Sequence, residues 1–204
     1  MPNVQTAARE MAEMSTATIS DAFFRMGHKD RTMHSRIKPV DPGMKVAGPA
    51  LTVKAYPGAT HACDLAIQAV EEGQVIVVDG GAFLEAVLWG EIFSMMGMAK
   101  GAAGTVIDGA VRDVDDVIEL GYPLFSAGIT PAAGTVDKLG EINVPVSCGG
   151  VVVKPGDWVY GDRLGVVVAQ PDRIVELRQW CDDVLTKEAK MIEGLRAQCE
   201  ARQR

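Results

Sequence analysis

Two apolar runs constrain the architecture more than any other feature. Gln74-Val75-Ile76-Val77-Val78-Asp79 and Thr105-Val106-Ile107-Asp108 are short, rich in β-branched residues, and each is followed by glycine after its closing aspartate. Apolar runs of this kind read as strands covered on both faces, the habit of parallel sheets. Parallel neighbours need a long crossover, and the spacing of about thirty residues between the two runs is that of a βαβ unit. An α/β chain is expected, with both strand ends on one edge of the sheet.

Ligands of open α/β sheets collect beyond the carboxyl ends of the strands, next to helix N-termini. After the second strand, Gly109 reads as a tight turn, and Arg112-Asp113 follows at the mouth of a helix expected over 113–120. After the first strand, residues 83–99 read as helical with a break at Gly90. A helix restarting there places Glu91 and the backbone N–H groups of Ile92 and Phe93 at a positive helix end. Glu91 and Arg112-Asp113 are then expected to converge on one pocket. A guanidinium suits a substrate carboxylate or a developing oxyanion. A carboxylate suits a hard cation such as Mg²⁺. The same residues also have a plainer reading. Asp113 with Asp116 three residues on resembles a helix cap, Arg112 can pair with a nearby acid, and Glu91 can serve the helix dipole. Capping and metal binding are not exclusive.

The remaining segments are read in chain order. Helices are expected over 4–14 and from Ser15 or Thr16 to Met26, with Ser20-Asp21 solvated. Gly27 to Pro42 carries Lys29, Arg31, Arg36 and Lys38 and reads as a loop, solvated or rimming an anion site. Residues 44–56 read as one or two strands broken around Gly48-Pro49. Thr60 is placed as the cap of a helix from His61 to Glu72, ended by Gly73. A strand is expected over 122–129, and glycine-punctuated strands over 142–169, forming a second sheet layer with Asp162 to Gly165 as an exposed charged turn. Pro171 opens a helix reaching about residue 200. Its stripe runs Ile174, Leu177, Cys181, Val184, Glu188, Ile192, Leu195. Glu188, a carboxylate on an apolar stripe, either snorkels into solvent or is delivered to a neighbouring subunit.

Composition excludes several classes. With 204 residues and 48% apolar content, one domain over 1–204 is expected. The net charge of −7 disfavours a nucleic-acid binder. No apolar run is long enough to span a membrane, and Met1 to Met14 lacks a signal-peptide pattern. Cys63, Cys148, Cys181 and Cys199 are scattered, as free thiols in a reducing cytoplasm would be. His28, His34 and His61 show no zinc-ligand spacing. Phosphate-binding glycine motifs are missing, and no Ser-His-Asp set can be assembled.

Glu91, twenty residues, Arg112-Asp113, two residues and Asp116 resemble the signature of the RraA-like family. Thr18-Ile19-Ser20-Asp21, the Val75–Gly80 strand end, Trp89-Gly90-Glu91, and Gly161-Asp162 with Gly165 to Val168 match in order. That family includes class II pyruvate aldolases acting on 4-hydroxy-4-methyl-2-oxoglutarate and 4-carboxy-4-hydroxy-2-oxoadipate, and regulators of ribonuclease E. The resemblance implies a layered β/β/α fold of the swivelling, phosphohistidine-domain-like kind, with central parallel strands and a long C-terminal helix. It also implies a cytoplasmic homotrimer or hexamer with sites between subunits. Carried over, Asp113 ligates Mg²⁺ or Mn²⁺, and Arg112 binds the pyruvyl portion and stabilises its enolate. Gly90 and the N–H groups of Ile92 and Phe93 bind the carboxylate. Glu91, where characterised relatives usually carry Asp, orients the water that takes the C4 hydroxyl proton. Cys63-Asp64-Leu65 stands where relatives often have Asp-Asn-Leu, and Glu188 is the candidate acid from the adjacent subunit. The implied activity is lyase chemistry: retro-aldol cleavage of a 4-hydroxy-2-oxo diacid to pyruvate and a 2-oxo acid, with oxaloacetate decarboxylation as a side activity. The alternative is a non-catalytic ribonuclease regulator. Methyltransferase activity is disfavoured by the lack of an S-adenosylmethionine-type glycine loop.

Overall fold

The chain is described by a computed structural model that covers residues 3–202. Met1 and Pro2, where the expected absence of a signal peptide begins, lie outside the described residues, as do 203–204 at the end of the expected 1–204 domain.

Four strands form the parallel centre: β2 (Val46–Lys54), β3 (Val75–Trp89), β4 (Gly104–Val111) and β5 (Leu124–Ile129). They are joined by α3 (His61–Ala69), α4 (Glu91–Ala99) and α5 (Val114–Leu120). The short β1 (Lys38–Pro39) lies antiparallel on β5. At the other side, β9 (Trp158–Asp162) runs antiparallel to β2, and β10 (Gly165–Ala169) to β9. The order is β1-β5-β4-β3-β2-β9-β10, with β6 (Glu141–Ile142) also on β2. Alternation along the strands divides the core. Ile76, Val78, Ile107 and Val111 meet Ala62, Cys63, Ala66 and Ile67 of α3 and Val117 of α5. Val75, Val77, Val106 and Phe125 point the other way. There they meet the hairpin of β7 (Val146–Cys148) and β8 (Val151–Val153). The helix, sheet and hairpin layers give the expected β/β/α arrangement. A third core joins α1 (Val4–Met11), α2 (Thr16–Arg25) and α6 (Ile174–Arg202) over Tyr160, Val167 and Ala169.

Several expectations are corrected. The strand at 44–56 is unbroken: β2 pairs with β9 through Val46–Pro49 and with β3 from Ala50 onward. Gly48 is needed there because a Cβ would collide with the Gly73 carbonyl. β9 and β10 extend the main sheet, so only the β7–β8 hairpin is a second sheet. Residues 83–89 are not helical but the irregular second half of β3, pairing with Gly109–Val111. Gly109 is therefore inside β4 and makes no turn. Thr60 makes no side-chain cap; its hydroxyl donates to Thr135 O, 2.9 Å away. The helix it precedes ends at Ala69, ahead of Gly73. α1 stops at Met11, short of Met14.

Asp79 and Asp108, expected to end their strands, lie inside β3 and β4, buried and paired. Lys54 Nζ lies 2.7 Å from Asp79 Oδ2, and Ser147 N–H donates to the same oxygen at 3.2 Å. Arg36 donates to both oxygens of Asp108, with Nη2–Oδ2 at 2.9 Å, and Gly149 N–H donates to Oδ2 at 2.9 Å. These ion pairs bolt the 27–42 segment and the hairpin onto the sheet. The basic segment thus pairs Arg36 with Asp108, Lys38 with Leu164 O and Arg31 with Asp30. Asp162 is buried too: it accepts from Thr16 N–H (2.9 Å), Thr16 Oγ1 (2.6 Å) and Leu164 N–H (2.8 Å).

Candidate active site

β3 and β4 leave the sheet side by side. The Arg112 N–H donates to Trp89 O at 3.1 Å, which carries the pairing one residue past the end of β4. Asp113 then turns the chain into α5 with φ 53° and ψ 39°, a left-handed conformation that few non-glycine residues adopt; Asp is among the tolerant ones. Strain of this sort costs on the order of 1–3 kcal/mol and survives only where the surroundings enforce it. It carries the side chain off the α5 terminus: Asp113 makes no capping hydrogen bond with its carboxylate, which corrects the cap expectation. The Asp113 carbonyl instead accepts from Val117 N–H at 3.0 Å.

The carboxylate faces across to α4. Asp113 Oδ2 lies 3.2 Å from Arg112 Nε and accepts a long 3.4 Å hydrogen bond from Glu91 N–H. Both contacts fall on Oδ2, leaving Oδ1 without a hydrogen-bond partner among the described residues. Gly90 makes this approach possible, since a Cβ there would stand 2.6 Å from Oδ2. The helix restart at Glu91 is as expected.

Trp89, Gly90 and α4 are locked together by one hydroxyl. Ser94 Oγ accepts from Trp89 Nε1 at 3.0 Å and donates to Gly90 O at 2.9 Å. The Trp89 and Phe93 rings meet edge to face, 5.3 Å between centroids. Farther along α4, Gly97 passes over the Tyr122 hydroxyl, which bonds Thr105 Oγ1 at 2.7 Å. Burial pushes the Tyr122 phenol up to about 12, against the opposing hydrogen bond from Thr105, so it stays neutral.

A cavity of about 210 Å³ opens between these parts. Arg112, Asp113 and Gly90 form its polar end; Val87, Leu88, Trp89, Ile92 and Phe93 form an apolar wall. Thr60, Ala133 and Gly134 complete the lining. That loop is fixed by Val87 N–H on Ala132 O (3.0 Å) and Thr60 N–H on Thr135 O (2.9 Å). Arg112, Asp113, Gly90, Ile92 and Phe93 are thus brought together as expected. Glu91 contributes its N–H to Asp113, but it is not part of the cavity lining. Glu188 is not among the cavity-lining residues: α6 packs on α1 and α2, and every described residue after Val184 is exposed. Trp89, Ser94, Thr60 and the 133–134 wall were missed. The signals for the first two were the Trp-Gly junction and a serine four residues beyond Gly90 on an apolar helix.

Among the described residues no group of three or more His, Cys, Asp or Glu could hold a metal ion. Mg²⁺ dehydrates reluctantly and is often held by one or two carboxylates plus substrate oxygens and waters, and Asp113 Oδ1 offers such a donor.

The family model for RraA-like proteins, described as Aldolase/RraA, matches residues 16–168. The chain belongs to the RraA-like family. A Halalkalibacterium halodurans protein named "Putative 4-hydroxy-4-methyl-2-oxoglutarate aldolase" is 40% identical over 155 residues, 75% of this chain and 71% of that protein. The crystal structure of an uncharacterized protein from Pseudomonas syringae pathovar tomato superposes with a TM-score of 0.83 at 30% identity, covering 97% of this chain and 95% of the other. Streptomyces coelicolor RraAS2, described as an unusual member of the RNase ES inhibitor RraA protein family, superposes with a TM-score of 0.82 at 29% identity, covering 96% and 100%. No helix among the described residues is long and apolar enough to cross a membrane.

Proposed function

We propose that this RraA-like protein is a lyase, a class II pyruvate aldolase that cleaves 4-hydroxy-2-oxo diacids and decarboxylates oxaloacetate. The observation that carries the reading is the Arg112–Asp113 pair facing the α4 N-terminus across one cavity. The family's aldolase-named relative supports it.

Mg²⁺ or Mn²⁺ held by Asp113 would supply Lewis acidity at the C2 carbonyl of a bound 2-oxo acid. The protein's own groups do the rest. The N–H groups of Ile92 and Phe93, free at the start of α4, hold the substrate carboxylate at the positive helix end. Removal of the C4 hydroxyl proton, with Glu91 orienting the water that accepts it, turns C4–O into a carbonyl and breaks C3–C4. The released electron pair forms the enolate of pyruvate, and its oxygen charge falls beside the Arg112 guanidinium. Protonation at C3 completes pyruvate. Loss of CO₂ from oxaloacetate leaves the same enolate. The apolar wall excludes water, which strengthens each of these electrostatic contacts.

The assembly belongs to the same proposal: a homotrimer or hexamer with sites between subunits. Ile92, which lines the cavity, is 66% exposed and Met95 on the same helix 51% exposed, a surface suited to cover by another copy. Glu188 would arrive from such a copy. Pyruvate release, followed by lactate dehydrogenase and NADH oxidation over a panel of 2-oxo diacids with and without Mg²⁺, tests the reading. Its failure on every member would sink it.

The fold shared with Streptomyces coelicolor RraAS2 favours a second reading, a non-catalytic ribonuclease regulator. Retention of the ribonuclease effect by Arg112→Ala, in a protein that turns over no oxo acid, would select it.

A further inference from the structure

We propose that Ser94 is a positioning residue for substrate binding: its hydroxyl, by joining the Trp89 indole to the Gly90 carbonyl, aims the first N–H groups of α4 into the cavity. This rests on the aldolase reading of the same site. It adds a residue that neither touches the ligand nor lines the cavity.

Ser94 is fully buried on a helix whose neighbours are Phe93, Met95 and Met96. A serine inside a helix usually satisfies itself by bonding back to the carbonyl four residues earlier. Ser94 does that with Gly90 O at 2.9 Å, and the Ser94 N–H donates to the same oxygen at 3.1 Å. The helix would be complete without more. Yet Ser94 Oγ also accepts from Trp89 Nε1 at 3.0 Å. One donor hydrogen and one lone pair are thus committed to two groups on opposite sides of Gly90.

Those two groups are the ones that set the site. Gly90 is the junction at which β3 becomes α4, and its backbone is extended, with no helical preference to hold it. Trp89 forms the cavity wall and carries Phe93 by an edge-to-face contact at 5.3 Å. Its carbonyl accepts from the Arg112 N–H. Trp89 therefore links Arg112, through its backbone carbonyl, to the helix turn presenting Ile92 and Phe93 N–H, through its indole, and Ser94 is the clasp on that second side. Without it, the Trp89 indole N–H loses the one acceptor it has among the described residues, and the angle of the α4 entry is set by packing alone.

The readout is binding of oxalate, a planar mimic of the pyruvate enolate, by calorimetry with Mg²⁺ present, together with KM and kcat for pyruvate release. Ser94→Ala is expected to weaken oxalate and raise KM by about tenfold, with kcat changed by less than about threefold, because the amides bind ground state and transition state alike. Ser94→Thr keeps the hydroxyl and is expected to restore most of the loss. Should the extra methyl prevent folding, a cycle with Trp89→Phe takes its place. In the Phe background, which has no indole N–H, Ser94→Ala is expected to cost less than half as much. Wild-type affinity for oxalate in Ser94→Ala, or equal losses in both backgrounds, would overturn the proposal and leave the aldolase reading standing. A wild-type protein that neither binds oxalate nor releases pyruvate would end the aldolase reading itself.

Discussion

Gly90 and Asp113 fill the same small space: a Cβ on the glycine would stand 2.6 Å from the aspartate Oδ2 and 3.2 Å from Arg112 Cγ. The backbone of Gly90 is extended, so glycine is required here for room and not for conformation. Gly90→Ala is therefore expected to displace the carboxylate while the fold persists. A shift of about 1 Å at such a group costs on the order of 10²-fold in rate. Steady-state kinetics should show that loss with thermal unfolding within a few degrees of wild type. Full activity in the variant would show that Asp113 can sit elsewhere and still work.

Arg112 and Asp113 lie together at a cavity end and are both partly exposed, not locked in the core. Arg112→Lys keeps the charge but loses the planar fork. It should lower kcat by roughly 10²–10³-fold, the range for losing one preorganised donor at a developing oxyanion. A lysine variant with near-normal kcat would demote Arg112 to a mere counter-ion.

Asp113→Asn preserves volume and tolerates the left-handed backbone, so the protein should fold and remain in its native assembly. What it removes is the charged donor for a cation. Pyruvate release by wild type should vanish in EDTA and return with excess Mg²⁺ or Mn²⁺; the Asn variant should stay inactive at the same metal concentrations. EDTA-resistant turnover would remove the cation from the proposal.

Asp162 ties the start of α2 to the β9–β10 turn through three hydrogen bonds. Burial alone would raise its pKa, but the bonds from Thr16, Leu164 and Gly165 outweigh that and hold it below the ordinary carboxylate value. A carboxyl depressed in the folded state stabilises fully above its unfolded pKa of about 3.9, and the benefit disappears as pH falls through the lower folded value. Asp162→Asn should lose about 1–3 kcal/mol in urea unfolding at pH 7. The gap from wild type should narrow below about pH 4. A gap independent of pH would assign the effect to packing.

The strand–helix grammar was legible because Val75–Val78 and Val106–Ile107 need covering on both faces. The Arg112-Asp113 site was legible because it follows such a strand. Other features were set by distant neighbours. Residues 83–89 contain Leu84, Glu85, Ala86 and Leu88, all good helix formers, yet they lie extended. Gly81 and Ala82 take positive φ, and the segment gains Gly109–Val111 and the Ala132 carbonyl as partners. Asp79 and Asp108 look like simple strand ends, since their partners Lys54 and Arg36 lie 25 and 72 residues away. Asp113 resembles a cap because Asp is a preferred N-cap residue; only the left-handed backbone redirects it.

Glu188 gives the sharpest test of assembly. α6 is 29 residues long, yet its buried residues end at Val184. Beyond it Ile192 and Leu195, on the stripe that carries Glu188, are 48% and 52% exposed, and Leu185 beside it is 41% exposed. A lone helical segment of this length is marginal in water and gains its stability by docking an apolar face. If it docks on a second copy, the acid and Arg112 of one working site come from different chains. Glu188→Gln and Arg112→Ala should each be nearly inactive alone. Unfolded together and refolded as a mixture, they should form intact sites at about one quarter of wild-type density by random assembly. Activity equal to the sum of the two parents would place Glu188 in solvent and confine the site to one chain.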